Sequence, residues 1–195
     1  LAGCLPEDIE HRIRAMDGFR GWPQASAEWN AGGLDYGTPA GERIHLESMD
    51  TEQVVLMLGQ ATVPHGHPDD LVLRLLQCHL GVGMSSLLFR RLREEHGVAY
   101  EVAVHYPQLM GPAPFVLLAA TGMERAELSL QLLLQSWDEL CQTTLSQADL
   151  TLARAKFIGQ MAQGRQTCSQ RAERRVQLRA MALRDDHDQS CMEAI

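Results

Sequence analysis

Hydrophobic positions follow two different periods along the chain, and these periods predict most of its elements. Residues 53–60 and 115–121 contain short apolar runs of the kind that form buried strands, and residues 98–104 alternate as a half-buried strand does. Residues 43–49 are predicted as a further strand. Because residues 54–58 read VVLML, the strand over 53–60 is expected at the centre of its sheet, covered on both faces.

Helical spacing of apolar residues predicts most of the remaining elements. Helices are expected over residues 6–19, 71–80, 124–141 and 168–183. Two further helices are expected. One begins at the cap Ser146, which is followed by Asp149 three residues later, and the other ends at Gly97. The expected core face of the 124–141 helix consists of Leu130, Leu133, Leu134, Trp137 and Cys141. Residues 20–41 are rich in turn formers and are predicted to be a long loop.

The order of these elements predicts the fold class. A helix, two strands, two helices, two strands and then two or three long helices indicate an α+β sandwich, with helices packed on one face of a mostly antiparallel sheet. No internal repeat or change of composition divides residues 1–195, so a single domain is expected. The chain begins at Leu1 without a methionine, and we expect it to be a fragment of a longer chain.

Charge and composition argue against several classes of function. The formal net charge is −8 and the pI is near 5.4, whereas a general nucleic-acid binder needs a basic face. No apolar run approaches the roughly 20 residues that a membrane-spanning helix needs. The five scattered cysteines favour free thiols in a reducing compartment, although a periplasmic protein with unused cysteines fits as well. The compartment therefore stays open between the cytoplasm and the periplasm of a bacterium.

Two polar stretches allow a chemical and a structural interpretation. His65, His67, Asp69 and Asp70 include residue types that bind zinc, but they also suit a loop that enters a helix, with an aspartate near its positive end. No third ligand is specified, so we assign no metal ligand in this chain. The arginines of the last predicted helix form either a solvated face or a basic wall toward an acidic substrate. They are Arg171, Arg174, Arg175, Arg179 and, just beyond, Arg184.

The stretch over residues 81–102, GVGMSSLLFRRLREEHGVAYEV, is the centre of the predicted fold. Ser85 or Ser86 can cap the helix by accepting a hydrogen bond from its first free amides. Gly97 then occupies the position of a left-handed C-terminal cap, directly before a strand. This places Arg93 on the last helical turn and Tyr100 at the start of the strand, and both side chains can donate hydrogen bonds.

This stretch resembles the signature of the C-terminal, non-catalytic half of pitrilysin/insulinase-type (M16) zinc metallopeptidases, which reads GGGMSSRLFQELREKRGLAYSV. Val82 and Leu87 depart from that pattern. The opening AGCLPEDIEHRIRAMDGFRGWP, the strand TEQVVLMLGQ and the helical segment that begins SQADLTLARAKFIGQ are also similar to family segments, in the same order. The resemblance implies the α+β half-domain of that family, of LuxS/metallohydrolase-like type.

The resemblance also implies a function and a set of site residues. Catalytic halves of the family bind zinc through an HxxEH motif, and no HxxEH occurs in this chain. Zinc is therefore expected in a partner half, in the same chain or in a separate subunit, and no cofactor is expected here. Arg93 and Tyr100 match the pair that the non-catalytic half brings to the zinc site, where they would hydrogen-bond the carbonyl of a peptide substrate. Gly83, Ser85 and Ser86 would contact the substrate.

Two functional classes remain open at this level. The chain is either the complementary half of a working zinc endopeptidase or a degenerate scaffold or interaction subunit of the same family. Retention of both Arg93 and Tyr100 favours the first class, and Val82 and Leu87 weaken it. An independent enzyme has little support, because GVGMSS lacks the phosphate-binding glycine patterns and no GxSxG occurs.

Overall fold

An antiparallel sheet of three strands forms the centre of the structure, a computed structural model that describes residues 3–19 and 44–195. The strands are β1 Gln53–Ala61, β2 Ala99–His105 and β3 Pro114–Gly122. The helices are α1 Ile9–Ala15, α2 Asp70–Gly81, α3 Ala126–Gln142, α4 Gln147–Gln163, α5 Cys168–Ala180 and α6 His187–Glu193, with a π-helix at Phe89–Glu95 and 3-10 turns at Asp17–Phe19 and Met123–Arg125. The predicted loop over residues 20–41 lies outside the described residues.

The strands lie in the order β1-β3-β2, and both pairs are antiparallel, which confirms the predicted α+β class. The strand over residues 53–60 was predicted to be central, but in the sheet that the described residues form β3 takes that place and β1 lies at an edge. In β1 the side chains of Leu56 and Leu58 pack against the core, whereas Val55 and Met57 are 52% and 68% exposed. An unbroken apolar run therefore marks a strand with one open apolar face here, rather than a strand covered on both faces.

The predicted strand over residues 43–49 does not form in residues 44–49, and Arg43 lies outside the described residues. Ile44 and Leu46 expose 73% and 88% of their surface. A strand is stabilised by hydrogen bonds to a neighbour, and no neighbouring strand among the described residues pairs with this segment. Local β propensity alone was not sufficient to form a strand at this position.

The main core lies between the sheet and the helices. It is built around leucines that are fully buried, and it includes aromatic contacts between Phe115 and both Tyr106 and Trp137. The fully buried leucines are Leu80, Leu88, Leu92, Leu117 and Leu133. A second, smaller core lies between α2 and α4 and contains Leu75, Cys78, Ala153 and Phe157. The helices thus cover one face of the sheet, as the sequence predicts.

Helix α3 packs on the sheet through a face that overlaps the predicted one. Leu133 is fully buried and Trp137 packs against the core, as predicted, whereas Cys141 is exposed. Leu130 and Leu134 are 41% and 44% exposed, while Ser129 and Ser136 are fully buried. Ser129 Oγ donates to Thr121 Oγ1 of β3 at 3.2 Å, and Ser136 Oγ donates to the backbone of its own helix. Small side chains with satisfied hydroxyls let the helix approach the sheet closely, beside the buried Leu132 and Leu133.

Two further sequence predictions hold in the structure. Ser146 caps α4 by accepting a hydrogen bond from the backbone amide of Asp149 at 3.1 Å. All five cysteines are free thiols. No helix among the described residues is long and apolar enough to cross a membrane.

Candidate functional site

The segment that carries Arg93 is a π-helix, Phe89–Glu95, and not the α-helix that the sequence suggests. Leu88 and Leu92 are fully buried, as predicted, and they fix the segment against the core. Over such a short stretch the spacing of these two leucines fits an α-helix and a π-helix equally well, so hydrophobic periodicity could not distinguish the two helix types. Bonds to carbonyl oxygens near the end of the helix favour the wider turn: His96 Nδ1 lies 2.7 Å from Arg91 O, and the Val98 amide donates to Leu92 O at 2.8 Å.

Gly97 joins this helix to β2 in the left-handed conformation, with φ of +60°. This confirms the predicted C-terminal cap, because residues with a Cβ adopt such a φ only at a cost. The guanidinium of Arg125 donates a hydrogen bond to Gly97 O from the other side of the turn. The turn is therefore fixed by its backbone and by a neighbouring side chain.

Arg93 and Tyr100 lie on either side of this turn, and both are exposed. Tyr100 is 60% exposed, and the Arg93 guanidinium carbon lies 5.1 Å from the centroid of the Phe89 ring. The β2–β3 pairing shifts between Ala99 and Glu101, so Tyr100 is the extra residue of a β-bulge. Neither side chain hydrogen-bonds another described residue. Both keep their donors available on a supported backbone.

Gly83, Ser85 and Ser86 occupy the turn between α2 and the π-helix. Gly83 is exposed, has a φ of +75° and has open space around it, and Ser85 is also exposed. Ser86 is buried, and its hydroxyl has no hydrogen-bond partner among the described residues. Neither serine side chain caps the helix, contrary to the sequence prediction. A direct substrate contact is therefore compatible with Gly83 and Ser85, but Ser86 would have to leave the core first.

Gly97→Ala is expected to lower the free energy of unfolding by about 1–2 kcal/mol, because alanine resists a φ of +60°. Apart from the neighbours of Gly97 in the chain, no atom of the described residues lies within 4 Å of an added Cβ, so the cost is conformational and not a clash. Gly97→Asn is the matched control, since asparagine tolerates the left-handed region better. Urea denaturation monitored by circular dichroism measures both. Equal costs for the two variants would contradict this account.

A second polar cluster, which the sequence did not predict, lies where α2, α5 and α6 meet. His65 Nδ1 lies 2.6 Å from Asp70 Oδ2, and an Arg74 nitrogen lies 2.9 Å from the other oxygen of that carboxylate. Arg174 binds Asp188 through two hydrogen bonds of 2.6 and 2.9 Å. Asp70 and Asp188 are both almost completely buried. We call this set of five residues the buried ion-pair cluster.

The ionisation of the two buried aspartates follows from these bonds. Burial alone would raise the pKa of Asp188, but hydrogen bonds from Arg174 and Arg165 outweigh it and hold that pKa at about 2. Burial likewise opposes ionisation of Asp70, yet the hydrogen bond from His65 and the charge of Arg74 lower its pKa well below the ordinary range. Both carboxylates are therefore charged at neutral pH.

The cluster is a poor fit for a metal ion, although His65, Asp70 and His187 place ligand atoms within 4.8 Å of one another. Arg174 lies 3.3 Å from His65 Nε2, and Arg74 contacts both oxygens of Asp70. These guanidinium groups already contact the imidazole and carboxylate atoms that would bind a metal ion, and their positive charge would repel it. The loop interpretation of residues 65–70 therefore agrees better with the structure than the metal interpretation.

Most of the arginines predicted as a charged face, in α5 and just beyond it, are paired with acidic residues of the 185–188 segment. Arg175 and Arg179 lie 3.8 and 3.2 Å from Asp185, and Arg184 lies 2.5 Å from Asp186. Two of these arginines share one carboxylate, and Arg171 donates to the backbone oxygen of Arg165, so their charges are only partly balanced by described residues. The sequence signal was available in the acids of the 185–188 segment, but no periodicity connects them to residues of α5.

The fold and the turn together define a class of protein: an α+β half-domain with an exposed arginine and tyrosine around one turn and no HxxEH motif of its own. Comparisons with known proteins agree with this class. Residues 6–157 match the family model described as the peptidase M16 inactive domain. The chain therefore belongs to the family of peptidase M16 inactive domains.

Related sequences carry names of the same kind. Over 132 residues the chain is 27% identical to an uncharacterized zinc protease of Mycobacterium tuberculosis, a match that covers 68% of this chain and 30% of the relative. An uncharacterized zinc protease of Rickettsia felis is 35% identical over 80 residues, which cover 40% of this chain and 19% of the relative. The matched part of the chain thus corresponds to about a third or less of the length of these relatives.

Solved structures show the same fold at low sequence identity. The crystal structure of a peptidase M16 inactive domain from Pseudomonas fluorescens superimposes with a TM-score of 0.66 at 21% identity, covering 74% of this chain and 34% of that one. A protease from Helicobacter pylori gives a TM-score of 0.63 at 20% identity, with 73% and 35% covered. The half-domain architecture is therefore shared across distant sequences.

Proposed function

We propose that this chain is the non-catalytic half of an M16 zinc metalloendopeptidase, which binds a peptide substrate and supplies Arg93 and Tyr100 to the zinc site of an HxxEH-bearing half. The observation that carries the proposal is that both side chains, on either side of the Gly97 turn, are exposed and form no hydrogen bond or ion pair with a described residue. By contrast, Arg165 and Arg179 each pair with a carboxylate of the chain.

The chemistry of this pair suits the stabilisation of developing negative charge. The Tyr100 hydroxyl and the Arg93 guanidinium are both hydrogen-bond donors, and the guanidinium also carries a fixed charge. Aimed at a scissile carbonyl, such donors bind the oxygen more strongly as it becomes an oxyanion, which contributes roughly 3 kcal/mol per donor. Zinc in the partner half would supply the activated water for hydrolysis.

The local structure supports a precise placement of these donors. Leu88 and Leu92 bury one side of the π-helix, and the bulge at Tyr100 alters the direction of the side chain relative to the strand. The arginine and the tyrosine are therefore held from two different elements joined by one turn. The exposed backbone at Gly83 and Ser85 would contact the substrate near the same helix, at its opposite end.

Tyr100→Phe is expected to lower kcat by about tenfold or more at nearly unchanged KM, because a donor used mainly in the transition state is lost. The measurement is cleavage of a quenched fluorescent peptide library by the HxxEH-bearing half together with this chain. Arg93→Gln is expected to act in the same direction. Arg90→Gln, an exposed arginine of the same π-helix, is the matched control and should leave kcat unchanged.

Each other outcome has a definite meaning. Full activity of both Tyr100→Phe and Arg93→Gln would contradict the oxyanion role and favour the scaffold or interaction subunit instead. Chelator-sensitive cleavage by this chain alone would overturn the half-enzyme proposal. Circular dichroism of each variant separates a loss of activity from a loss of folding.

A further inference from the structure

A cavity of about 380 Å³ lies between α2, α4, α5 and α6, away from the Gly97 turn. Phe157 and Met161 of α4 form an apolar part of its wall, and glutamine, arginine and histidine side chains form most of the rest. We propose that this cavity binds a small organic anion that carries at least one carboxylate. The proposal does not depend on the peptidase function, because the cavity uses none of the residues assigned to that site.

The guanidinium groups that line the cavity outnumber its buried carboxylates. Arg74 is paired with Asp70, and Arg174 is paired with Asp188. Arg165 is a third guanidinium, and it shares Asp188 through a single bond of 2.6 Å from one nitrogen. Three guanidinium groups thus face two buried carboxylates. Glu173 also lines the cavity, but it is exposed to solvent, which weakens its effect on the interior.

Several hydrogen-bond donors that line the cavity have no acceptor among the described residues. Gln108, Gln160 and Gln170 each use the amide oxygen to accept a bond, from Arg174, the Cys78 thiol and the Thr167 backbone amide respectively. Each amide nitrogen is then left without an acceptor among the described residues. The other side-chain nitrogens of Arg165 form no hydrogen bond with a described residue.

These properties select the class of ligand. A guanidinium binds a carboxylate through two parallel bonds, and the free amide nitrogens can satisfy its remaining lone pairs. Side chains such as Phe157 and Met161 suit a short carbon skeleton, and a volume of 380 Å³ lies within the range of small-molecule sites. A metal ion fits less well, because Arg74 and Arg174 already engage the possible ligands His65 and Asp70.

The cavity joins two parts of the chain that differ in their relation to the family. His65, Asp70 and Arg74 lie within the region that matches the M16 inactive domain, whereas Arg165, Arg174 and Asp188 lie beyond residue 157. A bound anion would therefore bridge the half-domain and the helices α5 and α6. Ligand binding is expected to raise the thermal stability of the chain, since only the folded state holds both parts together.

The test is isothermal titration of the full chain with acetate, succinate and citrate at constant ionic strength and pH 7. Saturable binding of at least one of them is expected, with no binding of succinamide, the neutral diamide of the same skeleton as succinate. Arg165→Gln should weaken binding by tenfold or more, and Gln160→Leu by several-fold without touching an ion pair. Arg175→Gln, on the outer side of α5, should have no effect.

Thermal unfolding of each variant shows whether it is folded, so that lost binding is interpretable. Absence of saturable binding of all three carboxylates by the folded wild-type chain would overturn the proposal. Equal binding of succinamide, or unchanged affinity in folded Arg165→Gln and Gln160→Leu, would overturn it as well. Zinc titrated in parallel provides the competing outcome: binding of zinc but of no carboxylate would assign the cluster to a metal instead.

Discussion

Asp188→Asn is expected to lower the free energy of unfolding by about 3 kcal/mol, measured by urea denaturation at pH 7. Asp188 is fully buried and binds Arg174 and Arg165 together, so its loss leaves the largely buried Arg174 guanidinium without a counter-charge. Asp185→Asn is the matched control, because Asp185 lies in the same segment as Asp188 but pairs with an exposed arginine, Arg179. We expect no measurable change in that variant.

The pH dependence gives an independent measurement of the same pair. The pKa of Asp188 is about 2 in the folded chain, below the ordinary value of 3.8. Its contribution to stability is therefore complete above pH 4 and is lost as the pH falls toward 2. Asp188→Asn should flatten this part of the profile. The double variant Asp188→Leu with Arg174→Met should recover stability, and a loss equal to or larger than that of the single variant would contradict the explanation.

Leu92→Ala is expected to lower the free energy of unfolding by about 3 kcal/mol, because it removes a fully buried side chain between the π-helix and the sheet. The same denaturation experiment measures the loss. In complex with an HxxEH-bearing half, activity should also fall, since Leu92 supports the turn between Arg93 and Tyr100. Met57→Ala, at an apolar side chain that is 68% exposed, should change stability by no more than about 0.5 kcal/mol.

A smaller loss in Leu92→Ala than in Met57→Ala would contradict the burial assigned to the two residues. Loss of stability without loss of activity would be informative in a different way. It would show that the turn is positioned by Gly97 and Arg125 alone, through the backbone conformation and the bond to the Gly97 carbonyl.

The sequence predicted those parts of the fold that depend on local signals. Gly97, the cap at Ser146 and the three strands of the sheet are encoded by short patterns of backbone freedom, capping and alternation. The segment of Arg93 and Tyr100 was recognisable because its motif is contiguous in sequence. The structure places both residues around the one turn, as the motif implies.

The remaining features depend on contacts between distant residues. Ser129 and Ser136 lie on the buried face of α3 together with two leucines. Thr121 and Arg91 supply partners for the serine hydroxyls, which helical periodicity does not reveal. The pairing of Arg174 with Asp188 depends on how α6 folds back onto α5. The order of the strands placed β1 at an edge, although its composition suggested the centre. Such features follow from three-dimensional packing, which one sequence does not encode in any local pattern.

The open side of β1 has a consequence for how this chain behaves in solution. Among the described residues no strand pairs with its outer edge, and Val55 and Met57 add exposed apolar side chains beside that edge. An edge of this kind can pair with any extended segment that meets it, including one from a second copy. The fraction of the chain that stays unaggregated should therefore fall as the protein concentration rises. Dilution, or co-expression with a protein that covers this edge, would protect the chain from aggregation.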